Sequence, residues 1–264
     1  MKNQLLAAAL LAGLLTLNSC SDISQNEVTP QQTTIPSDIV ARINALGFSA
    51  KNAVRISDGY LVEKDIVLTD EVLQSGLPNL NGVVPKEEQY RTSALVTGLP
   101  RTIRVKVATT LSSGWITATD EMINRYNALP LRLKFQRITS GTANVNIIRD
   151  ESLPTGVLGS AGFPSGGNPF GTIRMKPSTF GSGATIAYAA TVLAHEMGHC
   201  IGFRHTDYFA RVCDGSNEGA GSIGAIYIPG TATGIDSASW MISCTGGNVP
   251  FSSLDQVALK ALYQ

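Results

Sequence analysis

The three histidines of this 264-residue chain all lie in one short segment, HEMGHCIGFRH, from His195 to His205. His195 and His199 are four residues apart, so a helix would present both imidazoles on one face, within reach of one metal ion. Gly202 can adopt the left-handed conformation that ends a helix, so the chain can turn back and present His205 from outside it. This helix and turn constrain the fold more than any other feature of the sequence.

Three imidazoles at this spacing are typical of catalytic zinc, because structural zinc has four protein ligands and catalytic zinc keeps one position open. Glu196 follows the first ligand by one residue, a rotation of about 100° around the helix axis, and would lie beside the metal. We therefore predict one zinc ion bound by His195, His199 and His205. Glu196 would be the general base for metal-activated water in peptide-bond hydrolysis.

The N-terminus has the pattern of an export signal. Lys2 precedes an apolar run from Leu5 to Leu17, which is too short to span a bilayer. The adjoining Leu17-Asn18-Ser19-Cys20 resembles the bacterial lipobox, whose cysteine becomes the lipidated first residue. We expect a signal peptide over 1–19, lipidation at Cys20, and an exported lipoprotein of the cell envelope or surface, retained there or released after processing. An ordinary secretory signal is the alternative.

Composition limits the partners of the chain. The chain has 20 Lys plus Arg and 20 Asp plus Glu, so its formal net charge is zero. It has no cluster of basic residues that would indicate nucleic-acid binding. Beyond the leader, no apolar run is long enough to cross a membrane, so we expect membrane attachment through the lipid alone. The expected partner is a protein or peptide substrate, and the sequence predicts no oligomeric state.

Changes in composition divide the rest of the chain into three parts. Residues 20–36 are polar and rich in Gln, Thr and Pro, which predicts a flexible stalk. Residues 37–100 contain short predicted elements separated by Pro and Gly, and form a small accessory region or a propeptide. Residues 101–264 carry the histidine motif and are predicted to be the zinc metallopeptidase domain.

Local patterns predict the elements of the accessory region. Ser37 is a candidate N-cap for a helix whose apolar stripe ends at Gly47. Asp58-Gly59 is a favoured hairpin dipeptide between the predicted strands Val54–Ser57 and Tyr60–Leu68.

The second region alternates between strand and helix patterns. A helix is predicted over Ile116–Leu129, with Ile116, Thr119, Ile123 and Tyr126 on its buried face, and a long apolar helix over Ala184–Ile201 carries the first two histidines. Short strands are predicted around Ile103–Val107, Leu131–Phe135, Val145–Ile147 and Ile173–Met175. This order predicts an α/β (α+β) domain with a twisted mixed sheet against which the active-site helix packs.

These residues resemble the metzincin metallopeptidases, most closely the bacterial dual-action HEIGH metallopeptidases. Besides the zinc motif, Ser239-Trp240-Met241-Ile242-Ser243 resembles the Met-turn that lies beneath the zinc in metzincins. A third match is Phe251–Tyr263, which predicts a C-terminal helix capped by Ser253, with Val257, Ala258, Ala261 and Leu262 facing the core. The resemblance implies a zinc endopeptidase.

The resemblance also implies details of the site. Some metzincins have a tyrosine ligand two residues after the Met-turn methionine, where this chain has Ser243, so we expect three protein ligands plus water. Asp207 is a candidate structural carboxylate. The loop and edge strand from Gly162 to Met175 would bind an extended substrate by strand pairing.

Residues Tyr60–Ile66, YLVEKDI, resemble the FxGDI stretch of astacin propeptides, in which an aspartate blocks the zinc. The resemblance implies that 37–100 is a propeptide and that Asp65 holds the fourth zinc position until cleavage after Arg91 or Arg101. A carboxylate oxygen is a suitable zinc ligand. The alternative is that these residues form a simple alternating strand.

Two further features remain open in the sequence. Cys200, Cys213 and Cys244 could form any of three disulfides in an exported protein, and the sequence does not select among them. Asp214-Gly215-Ser216-Asn217-Glu218 is a candidate Ca²⁺ loop or a plain surface turn.

The leading functional hypothesis is therefore a lipid-anchored zinc endopeptidase that acts outside the cytoplasm. A catalytically inactive, zinc-stabilised binding or adhesion domain at the cell surface is the alternative. Glu196 favours the peptidase, because binding does not require a general base. A serine hydrolase is disfavoured, since the chain has no GxSxG motif and no histidine outside the zinc set.

Overall fold

The computed structural model describes residues 34–75, 89–219, 224–231, 234–244 and 246–264. The predicted signal peptide, the lipidation site Cys20 and nearly all of the predicted stalk lie outside these ranges. Within the described ranges, no helix is both long and apolar enough to span a bilayer.

The helices and strands alternate along the chain. The helices are α1 (Ser37–Leu46), α2 (Asp70–Ser75), α3 (Ser113–Asn127), α4 (Ile186–Cys200) and α5 (Ser253–Tyr263), with a 3₁₀ turn at Pro177–Phe180. The strands are β1 (Val54–Ile56), β2 (Gly59–Val62), β3 (Ile66–Thr69), β4 (Tyr90–Arg91), β5 (Arg101–Val107), β6 (Leu133–Arg137), β7 (Val145–Arg149), β8 (Gly159–Ser160), β9 (Thr172–Met175) and β10 (Ile226–Tyr227).

The accessory region contains α1, α2 and the antiparallel meander β1–β2–β3. The helix starts at Ser37 with Pro36 in the cap position, one residue earlier than predicted, and ends at Gly47 as predicted. The predicted hairpin at Asp58-Gly59 is present. The single predicted strand Tyr60–Leu68 is wrong, because the chain turns at Glu63 and Lys64, whose φ angles are 54° and 78°. That turn makes two strands, with Asp65 immediately after the tip.

The second region contains a five-stranded mixed sheet with the order β6-β5-β7-β9-β8. The four predicted strands are β5, β6, β7 and β9, and each pairs with its neighbour in parallel. The edge strand β8, which was not predicted, lies in a Gly-rich stretch and is antiparallel to β9. The prediction of a mixed α/β fold with a twisted mixed sheet is therefore confirmed.

Helices α3 and α4 pack on each other, and their apolar residues share one core with the sheet and α5. The helix α4 is buried from Ala189 to Cys200, as its apolar composition predicts. The predicted face of α3 needs correction at Ile116, which is 37% exposed, while Trp115 is buried.

The C-terminal helix is present, but its N-cap and buried face differ from the prediction. Ser252 is the N-cap and forms a capping box with Asp255, so the helix starts with Ser253 inside it. The buried face of the helix consists of Asp255, Ala258, Leu259 and Tyr263. Val257 and Ala261, which were predicted to face the core, are exposed.

The segment just before β5 belongs to the core of the second region. Strand β4 pairs with β10, and Gln89 donates hydrogen bonds to Ser239 at 3.1 Å and Asp255 at 2.8 Å. The backbone nitrogen of Val96 donates to the hydroxyl of Tyr263. Residues 89–96 are therefore tied to the Met-turn segment and α5, although they precede the predicted boundary at 100.

Candidate active site

The helix α4 and the turn after it bring the three predicted zinc ligands together. His195 and His199 project from the last two turns of α4, and their Nε2 atoms are 3.1 Å apart. Gly202 has a φ angle of 109°, and a Cβ there would lie 2.7 Å from the carbonyl oxygen of Ala94, so both conformation and space favour glycine. The turn brings Nε2 of His205 to 3.2 Å from Nε2 of His195.

The other ring nitrogens fix the tautomers of these histidines. Nδ1 of His195 is 2.8 Å from the carbonyl oxygen of Trp240, and Nδ1 of His199 is 2.8 Å from that of Phe203. Nδ1 of His205 is 2.7 Å from a carboxylate oxygen of Glu218. Because these oxygens accept hydrogen bonds, each Nδ1 carries the proton, and three Nε2 lone pairs converge on one point.

Such a convergence fits zinc. Tetrahedral zinc with Zn–N distances of about 2.0–2.1 Å separates its nitrogen ligands by about 3.3 Å, close to the spacings found here. Burial, and next the two neighbouring imidazoles, keep the pKa of His199 well below its ordinary value, which favours the neutral form that binds metal.

The predicted Met-turn lies directly beneath this site. Trp240 and Met241 are fully buried, and the carbonyl of Trp240 orients His195. The approach is so close that a Cβ at Gly198 would collide with Sδ of Met241. Gly198 in the zinc motif therefore allows the Met-turn to pack against α4.

The predicted general base, Glu196, lies in the cleft beside the histidines. Its side chain adjoins a cavity of about 270 Å³ that is also lined by Val157, Val192 and the disulfide Cys213–Cys244. Burial, and next the charge of Asp65, raise the pKa of Glu196 well above its ordinary value. A carboxylate with a raised pKa is suited to take up and return a proton.

Asp65 completes a four-membered cluster with the histidines. Its Oδ2 lies 3.1 Å from Nε2 of His205 and 3.7 Å from Nε2 of His195. One ligand atom from each of Asp65, His195, His199 and His205 lies within 4.8 Å of all the others. The structure thus places the carboxylate of Asp65 beside the three predicted zinc ligands.

Backbone pairing holds this segment against the edge of the sheet. The nitrogen of Ala161 donates to the carbonyl of Asp65 at 2.9 Å, and the nitrogen of Val67 donates to the carbonyl of Ala161 at 2.7 Å. The implied assignment of the substrate edge to Gly162–Met175 needs correction, because β9 lies inside the sheet, between β7 and β8. The edge is β8 with Ala161, and β3 occupies it.

A buried ionic cluster surrounds the third histidine, and the sequence did not reveal it. Glu218 accepts hydrogen bonds from His205 and, at 2.6 Å, from Arg211. Arg204 lies 3.2 Å from Glu63 and 3.6 Å from Glu218. Burial, and next the charge of Glu218, raise the pKa of Glu63 well above its ordinary value, while Arg204 opposes that shift.

Hydrogen bonds and a disulfide connect the segment after His205 to the Met-turn segment. Asp207 accepts hydrogen bonds from the backbone nitrogen and the hydroxyl of Ser243 at 2.9 and 2.7 Å, so it links this segment to the Met-turn. This geometry fits the expected structural carboxylate. A disulfide joins Cys213 to Cys244, and Cys200 is a buried free thiol.

The candidate calcium loop directs its carboxylates to different partners. Asp214 accepts hydrogen bonds from Ser216 and from Lys64, whereas Glu218 points inward to His205. The role of Glu218 could not be read from its spacing. Arg204, in contrast, lies inside the zinc motif next to His205. A charged residue beside a buried ligand indicates a buried ion pair, so this residue could have been recognised from the sequence.

Comparison with known proteins decides the family. A family model described as dual-action HEIGH metallo-peptidase matches residues 60–263, which is most of the chain. The chain belongs to this family. The predicted family and the prediction of a zinc metallopeptidase are therefore confirmed, and the buried cluster of Asp65 and the three histidines fits zinc. The matched residues of this metallopeptidase start at Tyr60, so they include the hairpin tip with Asp65 as well as the zinc motif.

Two further comparisons were with solved structures and with curated proteins. The metallopeptidase is similar to two structures of myroilysin. One is 15% identical, with 64% of this chain and 82% of that chain covered and a TM-score of 0.43. The other is 12% identical, with 76% of this chain and 98% of that chain covered and a TM-score of 0.44. No curated protein matches the chain.

Proposed function

We propose that this metallopeptidase is an endopeptidase made in a latent form, with Asp65 as the fourth zinc ligand. The observation that carries the proposal is the position of the Asp65 carboxylate, 3.1 Å from Nε2 of His205 at the point where the histidine lone pairs converge. A carboxylate oxygen suits zinc at about 2.0–2.2 Å. While Asp65 remains there, water and a substrate carbonyl are kept from that position.

The chain supplies the remaining catalytic groups. His195, His199 and His205 would hold the zinc ion, which would supply polarisation of a peptide carbonyl and a lowered pKa of water. Glu196, beside the metal site, would take the proton from that water and return it to the leaving amine. Glu218 and the carbonyls of Trp240 and Phe203 hold the imidazoles in the required tautomers.

Substrate binding requires the sheet edge that β3 now occupies. An extended peptide that pairs with β8 and Ala161 would form the backbone hydrogen bonds now made by Asp65 and Val67. The same hairpin therefore blocks both the metal and the main-chain binding edge. Removal of the hairpin would expose both the metal site and the main-chain binding edge.

Activation then consists of the release of residues 34–75. These residues form a small hydrophobic core, which includes Ile43, Phe48 and Leu73 and is completed by Phe163 of the second region. Cleavage after Arg91 or Arg101, as first expected, would detach β4 and Gln89 from the Met-turn segment and α5. We therefore propose that the active chain retains Gln89 and all that follows.

Export and anchoring are part of the proposal. The sequence of residues 1–20 supports a lipoprotein signal with lipidation at Cys20. A disulfide between Cys213 and Cys244 supports an oxidising compartment outside the cytoplasm. The enzyme would act on proteins or peptides at the cell envelope or surface.

Casein cleavage tests both parts of the proposal, with the zinc-loaded full-length protein and an activated form cleaved ahead of Gln89 as the two enzymes compared. Glu196→Gln or a chelator should abolish cleavage by the activated form. Asp65→Asn should raise the activity of the uncleaved chain at least about tenfold, since a neutral amide is a weaker zinc ligand. Asp38→Asn, an exposed change in the same segment, is the matched control and should leave the activity unchanged.

The outcomes separate the two claims. Equal cleavage by the activated wild type and the activated Glu196→Gln variant would refute the catalytic mechanism and favour a binding domain. An Asp65→Asn protein no more active than wild type would refute the latency claim and leave the peptidase mechanism intact.

A further inference from the structure

The tip of the β2–β3 hairpin inserts a second carboxylate beside the zinc ligands. Oε2 of Glu63 lies 3.2 Å from Nη2 of Arg204, and their side chains are 3% and 1% exposed. The backbone carbonyl of Glu63 accepts a hydrogen bond from Arg211 at 2.6 Å. The hairpin thus binds the catalytic region through Glu63 as well as through Asp65.

The pocket that receives Glu63 is built by the catalytic region. Arg204 donates to the carbonyl oxygen of Gly219 at 2.9 Å, and its guanidinium lies 5.4 Å from the ring centre of Tyr208. Arg211 donates to Glu218 at 2.6 Å. We call this site, formed by Arg204, Tyr208, Arg211 and Glu218, the Arg204 pocket. All four residues would remain after release of 34–75.

Release of 34–75 would change the charge of the Arg204 pocket. It removes the carboxylates of Glu63 and Asp65, and it removes the ring of Phe48, which lies 5.1 Å from the guanidinium of Arg204. Arg204 would keep its contacts with the carbonyl oxygen of Gly219 and with Glu218, and Arg211 would keep those with Glu218 and Asp214. A carboxylate of similar size can take the place of Glu63 on Arg204, because arginine binds carboxylates through charge-assisted hydrogen bonds.

We propose that the Arg204 pocket is a carboxylate-binding subsite of the activated peptidase. The inference rests on the proposed function, in which the hairpin leaves the cleft. Because Arg204 adjoins the zinc-motif residue His205 in the sequence, the substrate carboxylate would lie close to the cleaved bond. An acidic side chain and a free C-terminal carboxylate share this chemistry.

Acetate tests the pocket without any need for catalysis. Glu63→Ala removes a CH₂ and a carboxylate, which is the size and charge of acetate. Sodium acetate at about 100 mM should raise the Tm of full-length Glu63→Ala by about 3 °C more than sodium chloride does. Wild type and Glu71→Ala, a change of an exposed glutamate, should show no such difference. An equal acetate effect on all three proteins would overturn the proposal.

Paired peptides test the pocket in the active enzyme. If Glu63→Ala does not fold, this experiment alone determines whether the pocket binds a carboxylate. The activated wild-type enzyme is incubated with pairs of peptides. The two peptides of a pair differ only by Glu or Gln at one position within three residues of the cleaved bond. One position should show a kcat/KM at least about tenfold higher for Glu. Peptides with free and amidated C-termini distinguish the two sources of the carboxylate.

The outcomes distinguish this inference from the proposed function. Casein cleavage with equal kcat/KM for every Glu and Gln pair, and for free and amidated termini, would overturn the pocket alone. Failure of every form to cleave casein would refute the proposed function, and the acetate measurement would then decide the pocket. Arg204→Gln should remove the preference for Glu, whereas Arg204→Lys should retain part of it.

Discussion

Glu218→Gln should weaken zinc binding by about 10- to 100-fold, although Glu218 lies outside the metal-ligand set. Oε1 of Glu218 is 2.7 Å from Nδ1 of His205 and 2.6 Å from Nη1 of Arg211, and its side chain is 1% exposed. A hydrogen bond to a buried charge contributes about 1.5–3 kcal/mol, and each 1.4 kcal/mol is tenfold in affinity. Glutamine keeps the shape but removes the charge that strengthens His205 as a ligand.

The assay is competition for zinc between the full-length protein and a chromogenic chelator. Glu71→Gln is the matched control, since Glu71 is exposed on α2, and its zinc affinity should equal that of wild type. Thermal unfolding of the metal-free proteins would show whether each variant is folded. An unchanged zinc affinity in folded Glu218→Gln would refute the claim that this carboxylate supports His205.

Three further changes test the packing around the site. Gly198→Ala should lower stability by about 1–3 kcal/mol, measured by urea unfolding, because the added methyl collides with Met241. Cys213→Ser should cost about 3–4 kcal/mol, since the disulfide closes a loop with a sequence separation of 31, and reduction of wild type should give the same loss. Burial raises the pKa of Asp255 to about 6, so its ionisation makes stability fall as pH rises from about 4 to 6. Asp255→Asn should flatten that part of the pH profile, and an unchanged slope would contradict the assignment.

The parts of the site that could be predicted are those determined by local sequence. Helical spacing brings His195 and His199 together, and Gly202 turns the chain toward His205, so their positions follow from a short segment. The buried faces of α3 and α5 were less predictable. Ile116 and Val257 fit the apolar patterns, yet tertiary packing leaves both exposed.

The contacts that the sequence could not give are long-range. Glu218 meets His205 only because the intervening loop folds back. Glu63 meets Arg204 across 141 positions of the chain. The turn at Glu63 and Lys64 has no glycine to signal its positive φ angles, so an apparently continuous strand concealed it. The edge strand β8 is two residues long and carries no alternating pattern.

The most direct test of the central claim is a crystal structure of the zinc-loaded, full-length protein with anomalous diffraction at the zinc edge. We expect one zinc ion bound by Nε2 of His195, His199 and His205, with an oxygen of Asp65 as fourth ligand at about 2.0–2.2 Å. A zinc ion with water in that position and Asp65 outside the coordination sphere would contradict it.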